Sequence, residues 1–272
     1  MFHGLVSGEV AVPGLSFAPV MADIEALNRR ALSSGEASAD VEALAFTKLS
    51  VHVLGLLTER YSVLDSGAAL GRGCGPLVVG RGGAERVRSL EELATRRVAI
   101  PGRLTTAHLL LRMFSPARDT VVPMRFDQIM PAVAAGECDA GVIIHESRFT
   151  YAGFGLELVA DLGSLWEEST GLPLPLGIIA ADRGLAPALV DAVESGLRRS
   201  IEHAWRHPDA PAEFIRAHAQ EMDPEVCRQH IGLYVNQHSA TLGDEGRAAI
   251  EVMLRRGRAT GLLPSGAPSP WR

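Results

Sequence analysis

A histidine at the end of a short apolar run is the residue of this sequence best placed to do chemistry. Residues 140–144 predict a buried strand, and His145 follows at once, with Glu146, Ser147 and Arg148 behind it. Ligands of open α/β sheets bind outside the carboxyl ends of strands, where an imidazole that titrates near neutral pH can take or give a proton. A core histidine is the alternative, but three polar neighbours would be costly in a closed core. We therefore predict a functional role for His145.

Two further segments have the features of an anion site. Residues 101–106 (Pro-Gly-Arg-Leu-Thr-Thr) lie between a predicted strand and a predicted helix, so the amides and hydroxyls of Thr105 and Thr106 can receive an anion at the helix start. Residues 47–50 (Thr-Lys-Leu-Ser) precede another predicted helix and add the cation of Lys48. Plain N-capping is the alternative for both segments. Two such helix starts, one from each half of a cleft, would suit a ligand that bears a carboxylate.

Lys48 also stands out by composition. It is the only lysine among the 26 Lys and Arg residues of the chain. A retained lysine indicates a place where a compact ammonium is needed and a planar guanidinium does not fit. A general bias of the source genome towards arginine explains the same count, so both interpretations stay open.

Other motifs predict less. His203 and His207 are four residues apart, as zinc ligands can be, but no third ligand is evident, so we predict no metal. The glycines of residues 71–75 lead into a strand, whereas a dinucleotide-binding motif follows a strand and opens a helix. Ser147 lacks the strained Gly-x-Ser-x-Gly turn of a serine nucleophile. The sequence therefore predicts neither a metal nor an organic cofactor.

The apolar pattern alternates between strands and helices in the first two thirds of the chain and is helical after residue 186. We expect strands at residues 15–21, 75–81, 97–100, 120–124, 140–144, 157–160 and 174–181. We expect helices at residues 23–32, 50–59, 90–94, 105–114, 126–135, 186–206, 210–220, 224–235 and 244–260. This order predicts an α/β protein with a helical C-terminal part. The tail after Leu263 is expected to be loosely ordered.

Two apolar segments rich in glycine and proline divide the chain. Residues 75–81 and 171–181 have the character of crossings between two lobes. We predict a discontinuous lobe one of residues 1–78 plus 178–272, and a lobe two of residues 79–177. The cleft between the lobes is the expected ligand site, with the crossings as hinges.

Composition limits the classes of partner. The chain has 272 residues, 47% of them hydrophobic, and a formal net charge of −6. Without a basic run, nucleic acid is not expected as a partner, and without an apolar stretch of about 20 residues, neither is a membrane. Cys74, Cys138 and Cys227 are widely spaced and odd in number, and no secretory signal is visible, so we expect a cytoplasmic protein. The oligomeric state is not predicted.

Taken together, these segments resemble the 1,4-dihydroxy-6-naphthoate synthase family of the futalosine route to menaquinone. The resemblance runs from the first residues to about Leu263, and the histidine segment is its most distinctive part. It rests on residues 23–28, 47–50, 66–77, 101–107, 143–151, 170–177 and 234–236. His238 departs from the family, which tends to carry an aromatic residue after the Val-Asn pair.

The resemblance implies a two-lobed fold similar to type II periplasmic solute-binding proteins. It implies a carbon–carbon lyase that acts on cyclic dehypoxanthine futalosine, with His145 as proton acceptor and no cofactor. The segments that match Lys48, Leu49 and Ser50, and Thr105 and Thr106, would line the site of a small carboxylate substrate.

The start of the chain departs from the family pattern. Family members open with a strand and a Ser-Pro-Cys-Pro-Asn-Asp-Thr-like loop before the helix that ends here at Gly8. We therefore expect that the first strand of lobe one is missing from this sequence and that the true start codon lies upstream.

Two other functions share this fold. A solute-binding protein that captures a small carboxylate for a transporter has the same cleft, so the fold alone does not exclude it. The sister enzyme, which dehydrates chorismate, matches residues 143–151 less well.

Overall fold

The computed structural model describes residues 1–33, 44–84, 86–117, 120–218 and 223–272. Its strands are β1 (Phe46–Ser50), β2 (Tyr61–Val63), β3 (Ala69–Gly71), β4 (Leu77–Arg81), β5 (Val98–Ile100), β6 (Val121–Pro123), β7 (Ala140–Ile143), β8 (Leu156–Asp161) and β9 (Leu174–Asp182). Its α-helices are α1 (His3–Val6), α2 (Ile24–Ser33), α3 (Val51–Leu57), α4 (Thr106–Phe114), α5 (Ile129–Ala134), α6 (Ser147–Thr150), α7 (Leu162–Thr170), α8 (Pro187–Arg206), α9 (Ala212–His218), α10 (Pro224–Tyr234), α11 (Gln237–Ala240) and α12 (Gly243–Ala259). Short 3-10 helices span Glu91–Thr95, Phe126–Gln128 and Tyr151–Phe154.

The second sheet along the chain has the strand order β6-β5-β7-β4-β8. Every residue of β7 is buried. Gly141 in β7 lets α5 pack closely, because a Cβ there would lie 2.5 Å from a methyl carbon of Ile129. β5 runs parallel to β7, so their carboxyl ends share one edge of the sheet. The segments that follow Ile100 and Ile143 therefore lie side by side.

The first sheet is built around β9. On one side β9 pairs antiparallel with the whole of β1, from Phe46 opposite Ala181 to Ser50 opposite Gly177. On the other side it pairs antiparallel with β2 and β3. β1 therefore holds Lys48 and Ser50 in a regular ladder beside β9, and α3 begins directly after this ladder ends.

The loop between β5 and α4 joins the two sheets. The amide of Leu104 donates to a carboxylate oxygen of Glu25 at 3.0 Å. The hydroxyl of Thr106 donates to the carbonyl of Leu176 at 2.6 Å. Buried side chains of both sheets also belong to one continuous core. This loop and the first residue of α4 are therefore fixed at two points beside the predicted anion site, one on α2 and one on β9.

Two expectations are wrong. Residues 15–21 form no strand, and Val20 and Met21 are 46% and 60% exposed. Pro19 has no amide for a ladder, and the segment has no strand partner among the described residues. The tail after Leu263 is fixed rather than loose, because the carbonyl of Pro270 accepts from the amide of Val63 at 2.9 Å and the indole of Trp271 donates to Glu251 at 2.7 Å.

The remaining predicted elements fall close to observed ones. The end of the helix predicted at 210–220 lies outside the described residues. The sequence missed the strands β1, β2 and β3 and the helices α6, α7 and α11. β4 belongs wholly to the second sheet and β9 wholly to the first, while the division into lobes at residues 78 and 178 stays a prediction. Among the described residues, no helix has both the length and the apolar character needed to cross a membrane.

Candidate active site

A cavity of about 230 Å³ brings most of the predicted site residues together. Both sheets and α10 contribute to its walls. Its lining includes Lys48, Ser50, Thr105, Thr106, His145, His230, Ile231 and Tyr234. Leu49 is fully buried in the core and is not among the lining residues. None of the described lining residues carries a carboxylate, so the cavity offers a charge environment that favours an anion.

His145 stands in an uncommon backbone conformation. Its φ of 58° is the only positive φ of a residue other than glycine among the described residues. A side chain in this left-handed region costs free energy and persists where the surroundings enforce it, often at functional sites. The conformation turns the chain sharply after β7, so the imidazole lies 5.1 Å from the ring of Phe126 and 5.9 Å from that of His230.

The protonation of His145 differs from the expectation. Burial, then the charges of Lys48 and His230, lowers the pKa of His145 from 6.5 to about 3. The imidazole is therefore neutral at physiological pH and can accept a proton, but it does not titrate near neutrality as the sequence suggests. An anion bound at Lys48 would offset the nearby positive charge and raise this pKa.

The amine of Lys48 has no counter-ion among the residues that the structure describes. Its ammonium makes no ion pair or hydrogen bond with any residue that the structure describes, and burial lowers its pKa. Gly177 on β9 lies beside the lysine stem, and a Cβ there would be in ordinary van der Waals contact with the Lys48 Cε at 3.5 Å. A half-buried cation is costly unless it is paired. A bound carboxylate would supply the missing partner.

The start of α3 is closed by internal hydrogen bonds. The amide of Ser50 donates to the side-chain carbonyl of Asn28 at 3.0 Å, and the amide of Val51 donates to the Thr106 hydroxyl at 3.0 Å. Asn28 is fully buried and also donates to the Ser50 hydroxyl at 2.9 Å. The hydroxyl proton of Ser50 is left to face a ligand, while its amide is not.

The start of α4 is more open. The Thr105 hydroxyl caps the helix by accepting from the His108 amide at 3.2 Å and donates to the Gly102 carbonyl at 2.8 Å. The Thr106 hydroxyl is committed to Val51 and Leu176. Both hydroxyls therefore serve the fold. Within the described ranges, the first two amides of α4 have no acceptor, and they remain for an anion.

Sequence reasoning missed two cavity residues on α10. The rings of His230 and Tyr234 contact each other in a tilted arrangement with centroids 4.6 Å apart, and the Tyr234 hydroxyl donates to the Cys74 carbonyl at 3.0 Å. Burial raises the pKa of Tyr234 and raises that of Cys74 to about 12. Neither is therefore ionised at neutral pH. The i,i+4 spacing of the two aromatic residues on one predicted helix was the available signal.

The weaker motifs lie away from this chemistry. His203 contacts Glu9 at 2.9 Å on the surface. In the described part of the chain, no cluster of three or more His, Cys, Asp or Glu side chains could hold a metal ion. Ser147 is the buried first residue of α6, and no hydrogen bond links it to His145.

Comparison with known proteins agrees with the family resemblance of the sequence. A family model described as menaquinone biosynthesis matches residues 1–259. A protein of Thermus thermophilus named 1,4-dihydroxy-6-naphtoate synthase is 46% identical over 270 residues, covering 99% of this chain and 92% of that protein. A protein of the same name from Streptomyces coelicolor is 43% identical over 276 residues, covering 98% of this chain and 92% of that protein.

Solved structures confirm the predicted fold class. Protein AF1704 from Archaeoglobus fulgidus superposes with a TM-score of 0.84 at 34% identity, over 96% of this chain and 93% of that one. The alkanesulfonate-binding protein SsuA from Xanthomonas axonopodis pv. citri superposes with a TM-score of 0.67 at 17% identity, over 97% of this chain and 88% of that one. The second likeness shows an α/β fold similar to periplasmic solute-binding proteins and nothing about activity.

Proposed function

The chain belongs to the menaquinone-biosynthesis family, and from this membership we infer that it is a carbon–carbon lyase that forms 1,4-dihydroxy-6-naphthoate. We propose that its substrate is cyclic dehypoxanthine futalosine and that His145 is the general base. One observation carries the proposal: a neutral imidazole on a strained residue faces a cavity that also holds an unpaired lysine.

Binding comes first in the proposed sequence. The substrate carboxylate pairs with Lys48 and receives hydrogen bonds from the first amides of α4 and from the Ser50 hydroxyl. These contacts hold the ring system against His145, and such positioning removes the entropic cost of bringing the base and the acidic proton together. The apolar remainder of the wall, including Ile144 and Leu176, contacts the rings.

Proton removal then starts the chemistry. A ring nitrogen of His145 forms an N–H bond as a substrate C–H bond breaks, and the electron pair remains on the substrate. That pair becomes a π bond of the second ring as the neighbouring carbon–carbon bond breaks, so this ring becomes aromatic. The electrons of the broken bond leave on the departing fragment, which takes up the proton from His145. Aromatisation supplies the driving force.

The test is a turnover assay. The purified chain is incubated with cyclic dehypoxanthine futalosine and, in parallel, with chorismate. We expect dihydroxynaphthoate from the first incubation and no change in the second. A folded protein that binds the first compound without converting it would contradict the lyase proposal and favour the solute-binding alternative. Dehydration of chorismate would favour the sister enzyme.

We propose a reducing compartment, the cytoplasm, as the place of action. No disulfide joins Cys74, Cys138 and Cys227, and the first two are buried thiols. Cysteines that stay out of disulfides are typical of proteins in reducing compartments.

A further inference from the structure

Proton removal by His145 leaves a charge problem that the proposed function does not solve. A neutral base that takes a proton from a bound carboxylate substrate leaves a second negative charge on that substrate. Lys48 is already paired with the carboxylate in the proposed complex. Preorganised donors aimed at the developing charge are usually the largest source of catalysis in such a site. The cavity therefore needs another hydrogen-bond donor near His145.

Most candidate donors on the wall are already engaged. The Tyr234 hydroxyl donates to the Cys74 carbonyl, and the Thr106 hydroxyl donates to the Leu176 carbonyl. The Thr105 hydroxyl donates to the Gly102 carbonyl. None of these three groups has a proton left for a substrate oxygen.

His230 is not engaged in this way. Its imidazole lines the cavity and lies 5.9 Å from the ring of His145 in an edge-to-face arrangement at 66°. It makes no hydrogen bond with the residues that the structure describes, and its Nε2 is buried without a partner. A buried polar atom without a partner costs free energy in the empty site, so a group that hydrogen-bonds this ring gains that energy on binding.

His230 is neutral at physiological pH, and a neutral ring suits a hydrogen-bond donor that is not also a cation. Burial, followed by the charge of Lys48, lowers its pKa from 6.5 to about 4. A neutral imidazole carries one N–H and stabilises a developing oxyanion by a hydrogen bond, as neutral histidines do in other enzymes.

The helix α10 brings this ring to the cavity. None of its residues is fully buried, and Leu233 and Tyr234 pack against the outside of the core, so α10 covers the site from the surface. Tyr234 contacts His230 with its ring tilted by 44° and fixes the end of the helix through Cys74. The His230 ring is thereby held from one side while it lines the cavity.

We propose that His230 is a second catalytic residue, whose neutral imidazole donates a hydrogen bond to the substrate oxygen that becomes negative as His145 removes the proton. This inference rests on the proposed function. It assigns proton removal and charge stabilisation to two different histidines on two different elements, β7 and α10.

The test compares three variants with the wild-type chain on cyclic dehypoxanthine futalosine. His230→Phe keeps a ring but removes both nitrogens, and His230→Gln keeps an amide donor. His207→Phe, at an exposed histidine that ends α8, is the matched control. We expect His230→Phe to lower kcat about 10²–10³-fold, the usual effect of removing one oxyanion donor. KM should stay near the wild-type value, His230→Gln should recover part of kcat, and the control should match wild type.

Two outcomes would overturn the role of His230. One is a His230→Phe variant with wild-type kcat. The other is an equal loss in His230→Phe and His230→Gln together with a lowered melting temperature, which would indicate a structural residue. If wild type converts the substrate and His145→Ala does not, either outcome removes only this inference. If wild type makes no product, the lyase proposal itself fails.

Discussion

The wall of the cavity that belongs to the first sheet differs from the wall of the second sheet in how it holds its key group. Lys48 projects from β1, a regular antiparallel strand paired along its whole length. His145 stands beyond the end of β7 with a φ of 58°. The first wall therefore carries an electrostatic cost, an unpaired cation, while the second carries a conformational cost. The contrast indicates that the first wall binds and the second reacts.

The largest expected effect comes from removing the base on the second-sheet wall of the cavity. His145→Ala removes the base and leaves Lys48 in place. We expect kcat to fall about 10²–10⁴-fold, the usual contribution of general-base catalysis, with little change in KM. Steady-state kinetics and a thermal melt of both proteins provide the measurement. Near-normal kcat in the variant would remove His145 from the mechanism.

The next largest effect comes from removing the charge of Lys48 on the first-sheet wall of the cavity. Lys48→Met keeps the length of the side chain and removes its charge. Hydrogen bonds to charged groups contribute about 1.5–3 kcal/mol, so we expect KM to rise roughly 10–100-fold while kcat falls much less. Lys48→Arg is the comparison variant, because it restores the charge with a planar fork. A loss confined to kcat in Lys48→Met would contradict the division of roles between the walls.

A smaller effect concerns the joint between the walls. The Thr106 hydroxyl accepts from Val51 and donates to Leu176. Thr106→Val keeps the shape and leaves two buried backbone groups without a partner, so we expect a loss of about 2–3 kcal/mol in the free energy of unfolding. Urea denaturation measures it. Thr106→Ser keeps the hydroxyl and should lose less, and equal losses would exclude this hydrogen-bonding role.

The smallest effect is the share of one histidine, His145, in the pH dependence of stability. His52, His145 and His230 have pKa values lowered to about 4, 3 and 4 by burial. Below their ordinary pKa near 6.5 the unfolded chain binds more protons than the folded one, so stability is full above this pH and falls as pH drops. Each group contributes up to about 1.4 kcal/mol per pH unit. The melting temperature should decrease as the pH is lowered from 6.5 to 5, and it should decrease less steeply in His145→Ala. Parallel curves would contradict the lowered pKa of His145.

The places of helices and strands along the chain were easier to predict than the distant residues that pair with them in the fold. The strand into His145 and the helix after Thr105 are local patterns of apolar residues and caps, and the structure has them near the predicted places. β1 was missed because its five residues gain their strand character from pairing with β9, more than a hundred residues away. The fate of the threonine hydroxyls was missed for the same reason.

The chemistry of the site shows the same limit. The sequence identified Lys48 and His145 by type and position, but the lowered pKa of His145 results from burial and from a lysine in another sheet. His230 comes from a helix late in the chain, and no local pattern places it against His145. Its spacing from Tyr234 indicates a shared helix face without indicating what that face covers.

The fixed C-terminal segment affects how the molecule would behave among copies of itself. Pro270 accepts the outward-facing amide of Val63, so the chain's own tail occupies part of the free side of β2. An uncovered strand edge is a template for pairing with another molecule. A chain shortened after Leu263 would therefore present this edge, and we expect it to be lost to insoluble self-association rather than to a defect in catalysis.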